Sequence, residues 1–164
     1  MKVSKYFWWS VTVLLSGTIL AGIFLAPWLA ARSPGISGLI YALYSPFCHQ
    51  LPLRSYFLAG YKLAVCSRCS GIYAGFFLST LLYPFWGKKL KNRLETRPAL
   101  IIILAVPMGI DFLLNLLSLW DSPLFIKNMT GFIWSSCLPF FWFKALQELG
   151  RTSPPKDSVC KSSP

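Results

Sequence analysis

Residues 7–31 carry no charged side chain. A run that long covers the about 20 residues a helix needs to cross a hydrocarbon core. In lipid the backbone must satisfy its own hydrogen bonds, which leaves helices and closed barrels as the spanning structures. Three more stretches fit the helical reading: 70–86, 99–120 and 130–146. Composition agrees, with 55% hydrophobic and only 13% charged residues, where soluble domains carry about a quarter charged. The expected fold is an all-α integral membrane protein with four transmembrane helices. Residues 1–146 are expected to form one bundle, and 147–164, polar and rich in Pro and Ser, a disordered tail.

The first run is too long for the apolar core of a signal peptide, and no small-x-small cleavage site follows it. Tyr6, Trp8 and Trp9 at one end and Trp28 at the other form interfacial belts. Pro107 and Pro139 fall inside spans and are expected to kink them. The net charge of +11 does not indicate nucleic acid, because the basic residues flank apolar spans and line no amphipathic face. They report topology and contact with the lipid bilayer. With the N-terminus inside, eleven of the sixteen Lys and Arg lie on inner segments, densest in "GKKLKNRLETR" between spans two and three. This predicts cytoplasmic termini in a prokaryotic inner or cytoplasmic membrane, with loop 32–69 outside.

That outer loop gathers Cys48, Cys66, Cys69 and the sole histidine, His49. Residues 36–47, "ISGLIYALYSPF", are apolar but too few to cross, which suits a re-entrant or interfacial helix. Pro46 and Pro52 bracket Cys48 and His49 and keep them out of regular helix. "RSYFLAGYKLAVC" suggests a short hairpin turning near Gly60. In "CSRCSGIYAGF" the cysteines are three apart at the start of a span, so both thiols face one side. The helix N-terminus and Arg68 both favour thiolate there. Gly71, Gly75 and Ser79 follow at four-residue spacing, a face for close helix packing.

Three thiols and an imidazole are a Cys3His set for zinc or another transition metal. Neighbouring side chains in extended chain point apart, so Cys48 and His49 are not expected to reach one ion together. With three protein ligands a fourth position stays open, as in catalytic zinc sites. Water activated there would act on a lipid or membrane-proximal substrate, with His49, Asp111 and Arg68 as catalytic candidates. An alternative is a quinone-linked thiol–disulfide oxidoreductase using Cys66-x-x-Cys69 with Cys48. The layout suits it, but the second outer loop, "DSPLFIKN", lacks the second cysteine pair of such enzymes. A plain structural disulfide is the third option. A c-type haem does not fit, because Ser70 stands where a His is required. Asp111 and Asn115 share a face of span three, and an acid at that depth points into the bundle. A small transporter or assembly factor using Asp111 is therefore a further alternative. Cys137 reads as a small core residue, and Lys127 and Asn128 as interface anchors or as contacts for an anionic group.

The string "SPFCHQ…RSYFLAGYKLAVCSRCSGIYAGF" resembles the signature of a bacterial and archaeal membrane family, domain of unknown function 2085. The shared pattern is Cys48-His49-Gln50, then Arg54-Ser55, then Cys66-x-Arg68-Cys69-x-Gly71-Ile72-Tyr73-x-Gly75. Tyr56 stands where the family often has Phe. The resemblance extends to Asp111 and to Thr130-Gly131, with Phe112 where a Gly is expected and Lys127 where an Arg is expected. It implies a membrane fold and no particular activity.

Overall fold

The structure is a computed structural model that describes residues 5–86, 97 and 99–151. The chain is mostly helical. In order it forms α1 (Lys5–Ala30), α2 (Pro34–Tyr44), β1 (Phe57–Leu58), β2 (Tyr61–Lys62), α3 (Ser67–Leu82), α4 (Ala99–Leu116), α5 (Leu124–Ser135) and α6 (Leu138–Arg151). Among the described residues two helices are long and apolar enough to cross a membrane, Tyr6–Ala30 in α1 and all of α4. Most of the link 87–97 and the tail from 152 onward, with Cys160, lie outside the described residues.

The packing inverts the usual order of a water-soluble core. Buried positions include Thr12, Ser16, Ser67, Ser79, Asp111 and Ser135, while Leu14, Leu15, Ile102 and Leu116 are each more than 60% exposed. In α1 the buried positions Thr12, Ser16, Ile23, Ala26 and Pro27 form one stripe of helical period, and the large apolar side chains point away from it. Lipid tails reward such an arrangement, since apolar helices gain nothing by hiding Leu from an equally apolar solvent.

The closest pairing is α3 with α5. Three glycines make it. A Cβ on Gly71 would overlap the Asn128 carbonyl, one on Gly75 the Phe132 carbonyl, and one on Gly131 the Arg68 carbonyl. The Ser79 hydroxyl extends the seam by donating to the Ser136 carbonyl at 2.6 Å. The small-residue face read at Gly71, Gly75 and Ser79 is thus the α3–α5 interface. The two helices run parallel, because Asn128 meets Ser67 at one end and Ser136 meets Ser79 at the other. α1 is antiparallel to α3, with the Trp9 indole donating to the Thr80 carbonyl at 2.9 Å. α4 lies beside α5 and exposes most of its surface; Asp111 is its one buried residue.

The segment read as one span over 130–146 is two helices that meet at Ser136–Cys137. Pro139 explains the break. It lacks the N–H that would reach back to Ser135, and its ring crowds that carbonyl. α5 also starts earlier than expected, directly after Pro123. α6 runs to Arg151, so residues 147–151, expected in the tail, are helical.

Between α1 and α3 the chain folds back along the end of α1. α2 has 11 residues, about 16 Å of helix, too short to cross. Its Ser37 hydroxyl donates to the Ala26 carbonyl at 2.8 Å, and the Tyr44 hydroxyl donates to the Ile19 carbonyl. The two short strands pair antiparallel around Ala59 and Gly60, both at positive φ. Such a two-residue turn matches the twist of a hairpin, and glycine takes its second position without steric penalty. This is the hairpin expected near Gly60.

Candidate metal centre

The cysteines of the loop between α1 and α3 arrive on two supports, the end of α2 and the start of α3. Cys48 leaves the end of α2, where its N–H donates to the Tyr44 carbonyl at 3.0 Å. Cys66 is the residue that caps α3. Cys69 lies in the first turn of α3, on the same side. Their three sulfurs lie within 4.8 Å of one another, and the group can hold a metal ion. Sulfurs bound at 2.3 Å to one tetrahedral zinc would stand about 3.8 Å apart, so only small shifts separate this arrangement from a coordinated one. The thiols are not joined by a disulfide.

The surroundings are apolar. Cys48 is buried in a cluster with Ile23, Ala26, Tyr44, Leu63, Ala64 and Val65, and Cys66, Cys69 and Tyr73 pack against it. Cys48 is buried and Cys66 and Cys69 are half-buried, and such apolar surroundings strengthen charge interactions. The Cys66 backbone N–H donates to the Cys48 sulfur at 3.2 Å. Hydrogen bonds from the Cys66 and Cys69 thiols, together with backbone N–H groups, hold the Cys48 thiol well below the usual cysteine range despite its burial. One thiolate, on Cys48, is therefore favoured in the group, while the contacts with Cys48 and Cys66 push the Cys69 thiol up; thiolate is the form that binds a metal and attacks a disulfide.

The segment after Cys48 is fastened by Gln50, part of the shared pattern, and by Tyr41 and Lys62, which the pattern does not include. Gln50 sits at positive φ, and its amide donates to the Tyr41 carbonyl at 2.6 Å. Lys62 donates to the Gln50 carbonyl at 2.8 Å, and the Tyr41 hydroxyl donates to the Lys62 carbonyl. These bonds tie α2, the Cys48 loop and the hairpin into one unit. No local pattern announces them, because the partners are 9 to 21 residues apart.

Of the residues expected at the site, the structure gathers Cys48, Cys66 and Cys69 and leaves His49 outside the sulfur group, exposed. Adjacent side chains diverge there, as the backbone geometry requires. Arg68, between the two cysteines of α3, turns away from them and forms an ion pair with Asp111. Asn115 donates to the Asp111 carbonyl at 2.7 Å, and the Ser122 hydroxyl donates to the Asp111 carboxylate. Cys137 is buried apart from the group, its thiol on the Trp134 carbonyl at 3.0 Å. Lys127 is buried and reaches Asp121 at 2.8 Å. Asn128 donates to the Ser67 carbonyl and the Ser70 hydroxyl, both at 2.9 Å. Both residues thus serve the packing of α3 and α5 and their loops.

A helical chain with an outward-facing apolar surface, a polar interior and three converging thiols defines a class: a helical membrane protein with a cysteine cluster. The comparisons agree. Residues 48–141 match the family described as predicted membrane protein (DUF2085), and the chain belongs to that family. It is 38% identical over 146 residues, 85% of this chain and 91% of the relative, to the uncharacterized protein MJ1492 of Methanocaldococcus jannaschii. It is 33% identical over 87 residues to an uncharacterized protein of Methanothermobacter thermautotrophicus, covering 51% of this chain and 73% of that one. No solved structure matches it significantly.

Proposed function

We propose that this protein holds one transition-metal ion, zinc by the softness of its ligands, on Cys48, Cys66 and Cys69 at the outer face of a four-span bundle. The observation that carries the reading is the convergence of three sulfurs from α2 and α3 within 4.8 Å. A disulfide needs two thiols. A third within the same 4.8 Å, beside a backbone N–H already donating to sulfur, is what a thiolate-rich metal site requires. The four passes are α1, α3, α4 and the α5–α6 pair, and the alternation of helix directions supports them. The excess of Lys and Arg on the opposite side supports cytoplasmic termini and an outward sulfur site.

Three thiolates leave the fourth position to water, to a substrate atom, or to His49 after a rotation of its exposed side chain. When bound, the ion would lower the pKa of a water held there and polarise an ester or anhydride oxygen. The apolar wall formed by Ile23, Tyr44, Leu63 and Val65 would present that position to a lipid-borne or membrane-proximal group.

The test is to purify the chain in detergent without chelator, measure metal per chain and titrate free thiols. The expected result is about one ion per chain, lost in Cys66→Ser. Absence of metal, together with a Cys66–Cys69 disulfide that can be reduced and re-formed, would refute the reading. It would favour thiol–disulfide exchange through Cys48 with a quinone as electron acceptor.

A further inference from the structure

The buried ion pair next to the sulfurs has no part in holding a metal. Arg68 is the middle of the Cys66-x-x-Cys69 turn, yet its guanidinium leaves the sulfur side and pairs with Asp111 of α4. It also lies 5.8 Å over the Phe112 ring. The Asp111 carboxylate accepts from Arg68 on one oxygen and from the Ser122 hydroxyl on the other. Asn115 is bonded to both Asp111 and Ser122. One carboxylate therefore joins the first turn of α3, the α4 helix and the loop that leads to α5.

Among the described residues, α4 otherwise packs mainly against α5. Asp111 is its one buried residue, and Ile102, Ile103, Ile110 and Leu113 are more than half exposed. A Cβ at Gly109 would meet nothing within 4 Å. Apolar helices in lipid have no hydrophobic drive to associate, so buried polar contacts weigh heavily in seating them. The position of α4 is thereby linked to the position of Arg68, whose backbone is the bridge between two sulfurs. On the other flank the Arg68 carbonyl is pressed against Gly131 of α5, so the turn cannot absorb a shift by sliding toward α5.

We propose that Asp111 is a positioning residue for the sulfur site: through Arg68 it sets the Cys66–Cys69 turn, so that metal binding and the seating of α4 are coupled. The proposal rests on the three-sulfur metal reading, and linkage makes it reciprocal. Whatever factor a seated α4 adds to metal affinity, the metal adds to the seating of α4.

The experiment uses the full chain in lipid nanodiscs and Co(II) as the metal. Wild type, Asp111→Asn, Asp111→Glu and Ser122→Ala are titrated and followed by sulfur-to-cobalt charge-transfer absorbance. Asp111→Asn should bind one ion with unchanged sulfur ligation but about tenfold more weakly, the usual penalty for losing a partner behind a ligand. Ser122→Ala should weaken binding about threefold, the scale of one buried side-chain hydrogen bond in a membrane protein. Asp111→Glu, which keeps the charge, should recover most of the loss. Equal affinities throughout would overturn the positioning role and leave the metal site standing.

If wild type binds no cobalt, the metal reading falls, and the positioning role is decided without metal. Maleimide labelling of Cys66 and Cys69 should then be several-fold faster in Asp111→Asn, with Cys137 unchanged. Equal rates at Cys66 and Cys69 would overturn it. Faster labelling of Cys137 as well would mark Asp111→Asn as unfolded, and Ser122→Ala then decides by the same two readouts.

Discussion

Replacing Gly71 by alanine sets two effects of opposite sign against each other. Alanine is the better helix former, by up to about 1 kcal/mol. Its Cβ, however, would stand 2.9 Å from the carbonyl carbon of Asn128 and 3.1 Å from its Cα, and closer still to the carbonyl oxygen. Comfortable carbon contacts need about 3.5–4.0 Å. The obstacle is backbone, which cannot rotate aside, so α3 and α5 must part by roughly 0.5–1 Å. Forcing a methyl group into a closed interface costs about 1–3 kcal/mol, and this site belongs in the upper half of that range. The net expectation is a loss of about 1–2 kcal/mol, a factor of roughly 5–30 in the folding equilibrium. Gly109→Ala on α4 is the control. Nothing lies within 4 Å of its Cβ position, so it should keep the propensity gain. Unfolding in detergent, followed by tryptophan fluorescence of metal-free protein, measures both. If Gly71→Ala is as stable as wild type, or more stable, the tight α3–α5 contact is not a feature of the folded protein and the reasoning fails.

His49→Ala should keep metal affinity within about threefold, since the side chain lies outside the sulfur group, while Cys48→Ser should lower it by at least about tenfold; metal content after dialysis distinguishes them. Asp121 is held below the usual carboxylate range by the hydrogen bond and charge of Lys127. Its contribution to folding is therefore present above the unfolded carboxylate's pKa and is lost as pH falls through the depressed folded value. Asp121→Asn leaves the buried Lys127 unpaired, so it should lower the unfolding midpoint at neutral pH and flatten its decline below about pH 4. Reporter fusions after Lys62 and Lys91 test the orientation, with an external signal expected at the first and a cytoplasmic signal at the second. The opposite pattern would put the thiols in a reducing compartment and remove the disulfide alternative as well.

Much of the fold was legible because lipid imposes simple local rules. The uncharged run 7–31 anticipated α1 to within two residues at each end. The cysteine pair at the head of a small-residue face anticipated both the start of α3 and its contact surface. The fourth stretch was legible only in part. Its hydropathy is continuous across 130–146, and a window average hides the single missing N–H at Pro139 that divides it. The short α2 and the turn at Gly60 could be read because length and glycine carry them. The Gln50–Tyr41–Lys62 clamp could not, because nothing in composition pairs those residues.

The sequence by itself determined the two long apolar helices, which thiols share a helix face and which residues allow helices to touch. All of these follow from spacing along a few turns. Tertiary structure decided that Cys48 rather than His49 joins the sulfur pair, that Arg68 serves Asp111 rather than the thiolates, and that Lys127 is buried. The reason is distance along the chain. Cys48 meets Cys66 across 18 residues and Arg68 meets Asp111 across 43, and contacts over such separations are set by how helices pack, which no local pattern encodes.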